Sequence, residues 1–432
     1  MLGFFLSRRT DAAAQRRPEY VVPTLAEHLA PGRPKRILSL DGGGVRGVLS
    51  VAILERIEEI LRERLNAGAG FRLCDYFDLV GGTSTGSIIA APLALGWRAS
   101  EIRDLYFKLA PNVFRASLFR KGLVRAKFDG TRLMKILAQQ IGDVTLGSEA
   151  LKTGLAVVSR RIDTDSNWVV FNNPKGKFFE STLGPHGHSA ANKDYRVRDL
   201  VRASTAAPYF FQPQRIKIGP NETGLFIDGG LTLHNNPSLQ LLLLASLEGY
   251  RLNWPLAVDK LLLISIGTGG WRKIVPAGDL DRHLSIVKTG EALASMVGTS
   301  ERLIETVMQW IAHPPAPTEI NSEIGDMRGD ALGGKPLISY QRYNAMLSRD
   351  WLSQQLGMTF SEARVRQLWD MADPAIMQDV YEIGRHAAAK FVMPPHLPAG
   401  FDPVFARPAA APPIVRQSHA EAAPDLRFAA HG

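Results

Sequence analysis

Short apolar runs alternate along the chain with longer segments whose apolar residues recur every three or four positions. The runs at 36–40, 74–80 and 260–266 predict buried strands, and 155–158 and 168–171 predict two more. Residues 48–65 place apolar side chains on one helical face and charges on the other, which is typical of an amphipathic helix. Helical patterns also occupy 197–204 and 238–247. Such alternation predicts a sheet with helices on both faces.

The pattern changes towards both ends of the chain. From 279 to 392 it is almost wholly helical, and from 394 to 432 it is rich in Pro and Ala with little apolar pattern, which predicts a disordered tail. We therefore expect an N-terminal extension at 1–34, a main α/β domain at 35–272, a helical region at 273–393 packed on that domain, and a tail at 394–432.

Composition restricts the class of protein. The chain has 432 residues, of which 45% are hydrophobic, so it can bury a large core. Its single cysteine, Cys74, excludes an internal disulfide and is interpreted as a buried thiol. No apolar run reaches the roughly 18 residues that span a bilayer, and the opening apolar residues are too few for a signal peptide. We expect a cytoplasmic protein of bacterial type, peripheral at a membrane, without a signal peptide or transmembrane helix.

Basic residues exceed acidic ones by 51 to 42, giving a formal charge of +9, which suits an anionic partner such as a lipid headgroup or nucleic acid. The segment from Arg115 to Lys135 carries seven basic residues against one acid, Asp129, and interleaves them with Phe and Leu. Two interpretations stay open. The segment is either a membrane-contacting lip or a solvated basic face over ordinary core residues.

The first candidate for chemistry is the pentapeptide Gly-Thr-Ser-Thr-Gly at 82–86, which follows an apolar run. This G-x-S-x-G pattern is typical of a nucleophile elbow, a strained strand-to-helix turn that exposes a serine hydroxyl. Gly82 and Gly86 would let the backbone pass where any Cβ would collide. Ser84 is therefore the candidate nucleophile, although small residues also form ordinary tight turns.

A second cluster, Asp-Gly-Gly-Gly-Val-Arg-Gly at 41–47, joins a predicted strand to the predicted helix at 48–65. Unpaired amides at a helix N-terminus bind anions, and the oxyanion formed from an ester carbonyl is such an anion. A nucleotide phosphate is the competing ligand, because Gly42, Gly44 and Gly47 fit the dinucleotide fingerprint. That fold needs an acid at the end of its second strand, where this chain has the serine turn. A Walker A loop also lacks its Gly-Lys-Ser/Thr.

A third cluster, Leu-Phe-Ile-Asp-Gly-Gly at 225–230, ends an apolar run in Asp228. An ordinary Asp-Gly turn is the simpler interpretation. None of the ten histidines has the context of a catalytic base, whereas a Ser-Asp pair needs none of them. A carboxylate with a pKa of about 4 is a weak base, so burial would have to raise the pKa of Asp228.

Together, and in their order along the chain (41–47, 82–86, 225–230), the three clusters closely resemble the patatin-like phospholipases, lipid acyl hydrolases that use a Ser-Asp dyad. The resemblance spans about 36–270 and includes the stretch at 203–210. It implies a three-layer α/β/α patatin-like fold with a mostly parallel central sheet, plus a C-terminal helical extension. It also implies Ser84 as nucleophile, Asp228 as base, and an oxyanion hole formed by the loop Gly42, Gly43 and Gly44, with Arg46 in support.

The resemblance further implies hydrolysis of acyl esters in glycerophospholipids through an acyl-enzyme, with no metal and no other cofactor. The expected partner is a phospholipid or another acyl lipid, with membrane-surface contact through Arg115 to Lys135 and no nucleic acid. Two alternatives stay open: a neutral-lipid or general carboxylesterase, and a bacterial defence phospholipase gated by a ligand such as a nucleotide signal. The oligomeric state is left open.

Overall fold

A mixed nine-stranded sheet is the framework of the protein in the residues that its computed structural model describes, 22–113, 130–184, 187–208, 210–271 and 285–403. The strands are β1 Lys35–Leu40, β2 Leu79–Thr83, β3 Gly154–Arg161, β4 Ser166–Phe171, β5 Leu183–Gly184, β6 Gly187–His188, β7 Gln214–Lys217, β8 Thr223–Asp228, β9 Leu261–Ile266, β10 Ala312–His313 and β11 Ile338–Tyr343. The strands β5 and β6 form a separate small hairpin.

Helices connect and cover these strands. They are α1 Leu25–Leu29, α2 Gly47–Arg64, α3 Leu73–Tyr76, α4 Thr85–Ala94, α5 Ala99–Val113, α6 Gly130–Ile141, α7 Val197–Ser204, α8 Ser238–Ser246, α9 Ser285–Ile311, α10 Arg349–Leu356, α11 Glu362–Leu368 and α12 Met377–Phe391. Among these described helices, none is both long and apolar enough to cross a membrane.

The strands β10, β11, β9, β1, β2 and β3 pair in that order, and all five pairings are parallel. Antiparallel pairs form only at the far side of the described sheet, where β3 pairs with both β4 and β8, and β8 pairs with β7. The strands β1, β2, β9 and β11 are buried along their whole length. Parallel strands of this kind need cover on both faces.

Helices lie on both faces of the sheet. A Cβ on Gly81 would touch Leu241 of α8, whereas a Cβ on the next residue, Gly82, would meet the start of α4. Because successive strand residues face opposite sides, α8 and α4 cover opposite faces. Side chains of α8 and α9 pack with β1, β9 and β11 in one apolar core. The predicted α/β fold, mostly parallel sheet and C-terminal helical region are therefore confirmed.

Two details differ from the sequence prediction. Cys74 does not lie in a strand: it is buried in α3, and β2 starts only at Leu79. The carboxylate of Asp75 accepts a hydrogen bond from the Arg72 amide (2.7 Å), which caps this helical turn inside an apolar run. The region from 279 to 392 also contains β10 and β11, and β11 pairs directly with β9. The six buried residues of β11 are enough for a strand but too few for a separate helix.

The described chain remains packed beyond the predicted start of the tail at 394. Leu397 and Phe401 are buried, and the Phe401 carbonyl accepts a hydrogen bond from Arg36 of β1 (2.9 Å). The prediction placed this boundary too early. The proline-rich composition is typical of a disordered tail, and two isolated apolar residues, Leu397 and Phe401, form no recognisable pattern. Residues 1–21, the basic segment up to 129, and 404–432 lie outside the described residues.

Candidate active site

Ser84 stands alone between β2 and α4 with φ 52° and ψ −121°. A positive φ is unusual for a non-glycine residue and is typical of a strained functional turn. The two flanking glycines are required by close backbone contacts. A Cβ on Gly82 would lie 2.2 Å from the carbonyl carbon of Gly86, and a Cβ on Gly86 would lie 2.1 Å from the Leu40 oxygen. The elbow geometry thus follows from the spacing of the motif.

Strand pairing brings Ser84 to Asp228. One edge of β3 pairs with β4 over residues 156–161, so β2 and β8 must share the other edge. Thr83 pairs with Val158, and Asp228 pairs with the next residue, Ser159. The strands β2 and β8 therefore meet end to end. Ser84 Oγ donates a hydrogen bond to Asp228 Oδ2 at 2.6 Å.

The environment of Asp228 favours a base near neutral pH. Burial raises the pKa of Asp228 to about 6, although hydrogen bonds from Ser84 and the Gly230 amide, together with the charge of Arg202, oppose the rise. The second carboxylate oxygen, Oδ1, accepts the hydrogen bond from Gly230 (2.7 Å) and so fixes the orientation of the group. A general base is most effective when its pKa lies near the working pH.

Ser204 of α7 fixes the backbone of the elbow. Its Oγ accepts a hydrogen bond from the Ser84 amide (2.8 Å) and donates one to the Val158 carbonyl (2.5 Å). Within the described part of the chain, Asp228 is the hydrogen-bond partner of the Ser84 hydroxyl, and no histidine bonds to it. The same residues contain no group of three His, Cys, Asp or Glu side chains that could hold a metal ion.

The glycine loop after β1 lies beside the serine. A Cβ on Gly42 would be 3.1 Å from the Ser84 Cβ, so only glycine fits at this close approach. The Gly42 amide donates to the Asn235 carbonyl (3.1 Å) and is not available as an oxyanion donor, which corrects its predicted place among the donors. The amides of Gly43 and Gly44 donate no hydrogen bond to any described residue. These two amides remain the candidate donors.

Arg46 is buried at the start of α2, and its guanidinium lies over the Trp271 ring, 4.4 Å from the centroid. Burial lowers the pKa of Arg46 to about 10, against the opposing charges of Glu301 and Asp370. Its amide donates to the Gly43 carbonyl (3.3 Å). This bond and the aromatic contact hold the turn that follows the glycine loop.

Part of the chain is similar to known proteins. Residues 38–242 match the family model described as patatin-like phospholipase. Residues 38–242 belong to the patatin-like phospholipase family.

Several relatives resemble this patatin-like part. A cGAMP-activated phospholipase of Vibrio cholerae serotype O1 is 33% identical over 51% of this chain and 58% of its own length. Patatin-17 of Solanum cardiophyllum is 30% identical over 55% of this chain and 61% of its own length. The chain thus matches about three fifths of these relatives. Human GIVD cytosolic phospholipase A2 aligns with a TM-score of 0.43 at 11% identity, over 86% of this chain and 61% of that structure.

Several residues that contact the patatin-like site lie after residue 242 and were not predicted. Thr268 Oγ1 donates to the Gly42 carbonyl (2.9 Å), and the Val45 amide donates to the Met371 carbonyl (2.9 Å). Arg342 binds Asp41, the residue that precedes the glycines. These contacts join residues more than two hundred positions apart, so no local sequence pattern signals them.

Proposed function

We propose that the chain is a phospholipase that hydrolyses acyl esters of glycerophospholipids through a Ser84-Asp228 dyad. One observation carries the proposal: the 2.6 Å hydrogen bond from Ser84 Oγ to Asp228 Oδ2. It forms beside the glycine loop, whose Gly43 and Gly44 amides donate no hydrogen bond to any residue that the structure describes. The arrangement supplies a nucleophile, its base and a pair of oxyanion donors within one strand-end cluster.

The reaction would take place in two halves. Asp228 accepts the proton of Ser84 while Oγ attacks the ester carbonyl, and the Gly43 and Gly44 amides stabilise the resulting oxyanion. The C–O bond to the lysolipid then breaks, and Asp228 returns the proton to the leaving alkoxide. Water, deprotonated by Asp228, attacks the acyl-enzyme, and the fatty acid leaves as Ser84 is reprotonated. Each oxyanion donor is worth about 3 to 4 kcal/mol of barrier.

A direct Ser-Asp contact would also limit the cost of a weak base. Because the pKa of Asp228 is raised to about 6, it lies closer to the working pH than the pKa of an exposed aspartate does. The dyad requires no metal, so we propose that hydrolysis is metal-independent. Retention of the full rate in EDTA is expected, and loss of activity restored by a divalent cation would contradict this part of the proposal.

Membrane-surface contact through the basic segment is part of the proposal. Residues 130–135, the part of that segment that the structure describes, support this contact. Arg132 and Lys135 of α6 line a groove of about 270 Å³ together with Lys108 of α5. Three cations around one groove attract an anionic headgroup surface. Release of fatty acid is therefore expected to be faster from vesicles that contain phosphatidylglycerol than from pure phosphatidylcholine.

The test is fatty acid release from phosphatidylcholine/phosphatidylglycerol vesicles by the purified full chain. We expect release by the wild type and none by Ser84→Ala. Ser246→Ala is a matched control, because among the described residues the hydroxyl of this serine donates its hydrogen bond to a carbonyl of its own helix (2.8 Å). Release by Ser84→Ala at the wild-type rate would overturn the proposal. Cleavage of short soluble esters without vesicle hydrolysis would indicate a general carboxylesterase instead.

A second candidate, a ligand-gated phospholipase, is favoured by one observation. The Vibrio cholerae relative is described as cGAMP-activated. In this chain, Thr268 and Met371 contact the glycine loop from outside the matched segment, so a ligand bound there could alter the loop. Wild-type chain that releases fatty acid only after cGAMP is added would support gating. Equal rates with and without cGAMP would exclude this nucleotide as the activator.

A further inference from the structure

The glycine loop is held mainly from outside. Glycine backbones have wide conformational freedom, so three consecutive glycines do not fix their own amide directions. Thr268 holds the Gly42 carbonyl, and Met371 holds the Val45 amide at the far end. Asn235 accepts from the Gly42 amide with its carbonyl, and its side-chain amide bonds to Glu301. Neighbouring residues therefore hold the loop at both of its ends, at Gly42 and at Val45.

At the start of the loop, Asp41 is bound by Arg342 of β11. Arg342 Nη1 donates to Asp41 Oδ1 (3.0 Å) and Nη2 donates to Oδ2 (2.5 Å). The Asp41 and Arg342 side chains are only 1% and 2% exposed. Arg342 Nη1 also donates to Ser265 Oγ (2.7 Å) on the intervening strand β9. A two-point contact of this kind fixes the orientation of the carboxylate and of the backbone that bears it.

We propose that Arg342 is a positioning residue for the oxyanion-binding loop: by holding Asp41 at two points, it fixes the backbone from which the Gly43 and Gly44 amides reach the reacting carbonyl. The inference rests on the proposed function, because it assigns a role within that reaction. It extends the active site to β11, about one hundred residues beyond the matched segment.

A second buried pair offers a matched control. Arg36 binds Asp78 with Nε at 2.8 Å and with Nη2 at 2.9 Å, and both side chains are buried. Arg36 lies near the beginning of β1, whereas Asp41 follows its end. Removing either arginine leaves a buried carboxylate without its main partner and destabilises the fold. Only the loss of Arg342 would disturb the glycine loop.

The test compares a short-chain ester with its thionoester, in which sulfur replaces the carbonyl oxygen. Sulfur is larger and a weaker hydrogen-bond acceptor, so oxyanion donors favour the ester. We expect Arg342→Met to lower kcat for the ester by about 10- to 100-fold with a smaller change in KM, and to reduce the ester-to-thionoester ratio of kcat/KM. Arg342→Lys, which restores one charge without the fork, should give an intermediate ratio.

Arg36→Met should lower the melting temperature but keep the wild-type ratio. If Arg342→Met is insoluble, Arg342→Lys and the neutral double variant Asp41→Asn/Arg342→Met replace it, and both should show a reduced ratio. A wild-type ratio in these variants would overturn the positioning role. A wild-type chain that hydrolyses neither these esters nor the phospholipid of vesicles would instead overturn the proposed function itself.

Discussion

Asp228 is expected to make the fold less stable at the pH at which it would act as a base. Burial raises the pKa of Asp228 from 3.8 to about 6 despite the hydrogen bonds and the Arg202 charge that oppose the rise. That difference corresponds to about 3 kcal/mol against the ionised form. Because the folded state binds the proton more tightly, the stabilisation from this group is complete below pH 3.8 and is lost as the pH rises through about 6.

Asp228→Asn should therefore abolish fatty acid release while raising the free energy of unfolding. An amide has nearly the same shape, and its oxygen can still accept from Gly230 while its NH₂ donates to Ser84 Oγ. The expected gain is up to about 3 kcal/mol at pH 8 and close to zero at pH 4, measured by urea unfolding at both values.

Asp78 provides a control of opposite sign. Burial favours a higher pKa for Asp78, but the charge of Arg36, a hydrogen bond with His28 and the charge of Lys35 outweigh it and lower the pKa to about 2. Its stabilisation is present above pH 3.8 and is lost only as the pH falls through about 2. Asp78→Asn should lower the free energy of unfolding by about 3 to 5 kcal/mol at pH 8. A similar loss in Asp228→Asn would refute the reasoning about the candidate base.

Two other substitutions test the same site. Arg202→Met removes a charge that lowers the pKa of Asp228, so the acid limb of the kcat/KM profile should move to higher pH; a limb at the wild-type position or below would contradict this electrostatic contact. Gly82→Ala places a Cβ against the Gly86 backbone and should cost about 3 kcal/mol or more in unfolding free energy, whereas the exposed Gly70→Ala, with no atom within 4 Å of the new carbon, should cost little. Equal stability of the two alanine variants would show that the elbow tolerates a side chain.

Local sequence patterns predicted the strands and helices around the site well. The run at 36–40 corresponds to β1, the helical pattern at 48–65 to α2, and the patterns at 197–204 and 238–247 to α7 and α8. The secondary structure of these segments could be predicted because the apolar residues of each follow a single spacing, and because glycine or polar residues mark its ends. The contact between Ser84 and Asp228 also follows the expected motif pairing, since β2 and β8 meet along β3.

The sequence did not predict the contacts that stabilise the glycine loop. Arg342 and Asp41 are 301 positions apart, and in the sequence an arginine within a short strand resembles any other basic residue. The use of the Gly42 amide by Asn235 could not be read from the motif either, because a glycine cluster does not say which of its amides are already bonded. Periodicity therefore predicts elements, whereas the state of each donor depends on tertiary contacts.

The place of β1 has a practical consequence for truncation. A fragment restricted to residues 38–242 would lack β9 and β11, so the first strand would change from an interior strand to an open edge with unpaired backbone groups. Such a fragment would be prone to associate through that edge. Expression boundaries chosen from the homologous segment alone would thus divide a single cooperative sheet.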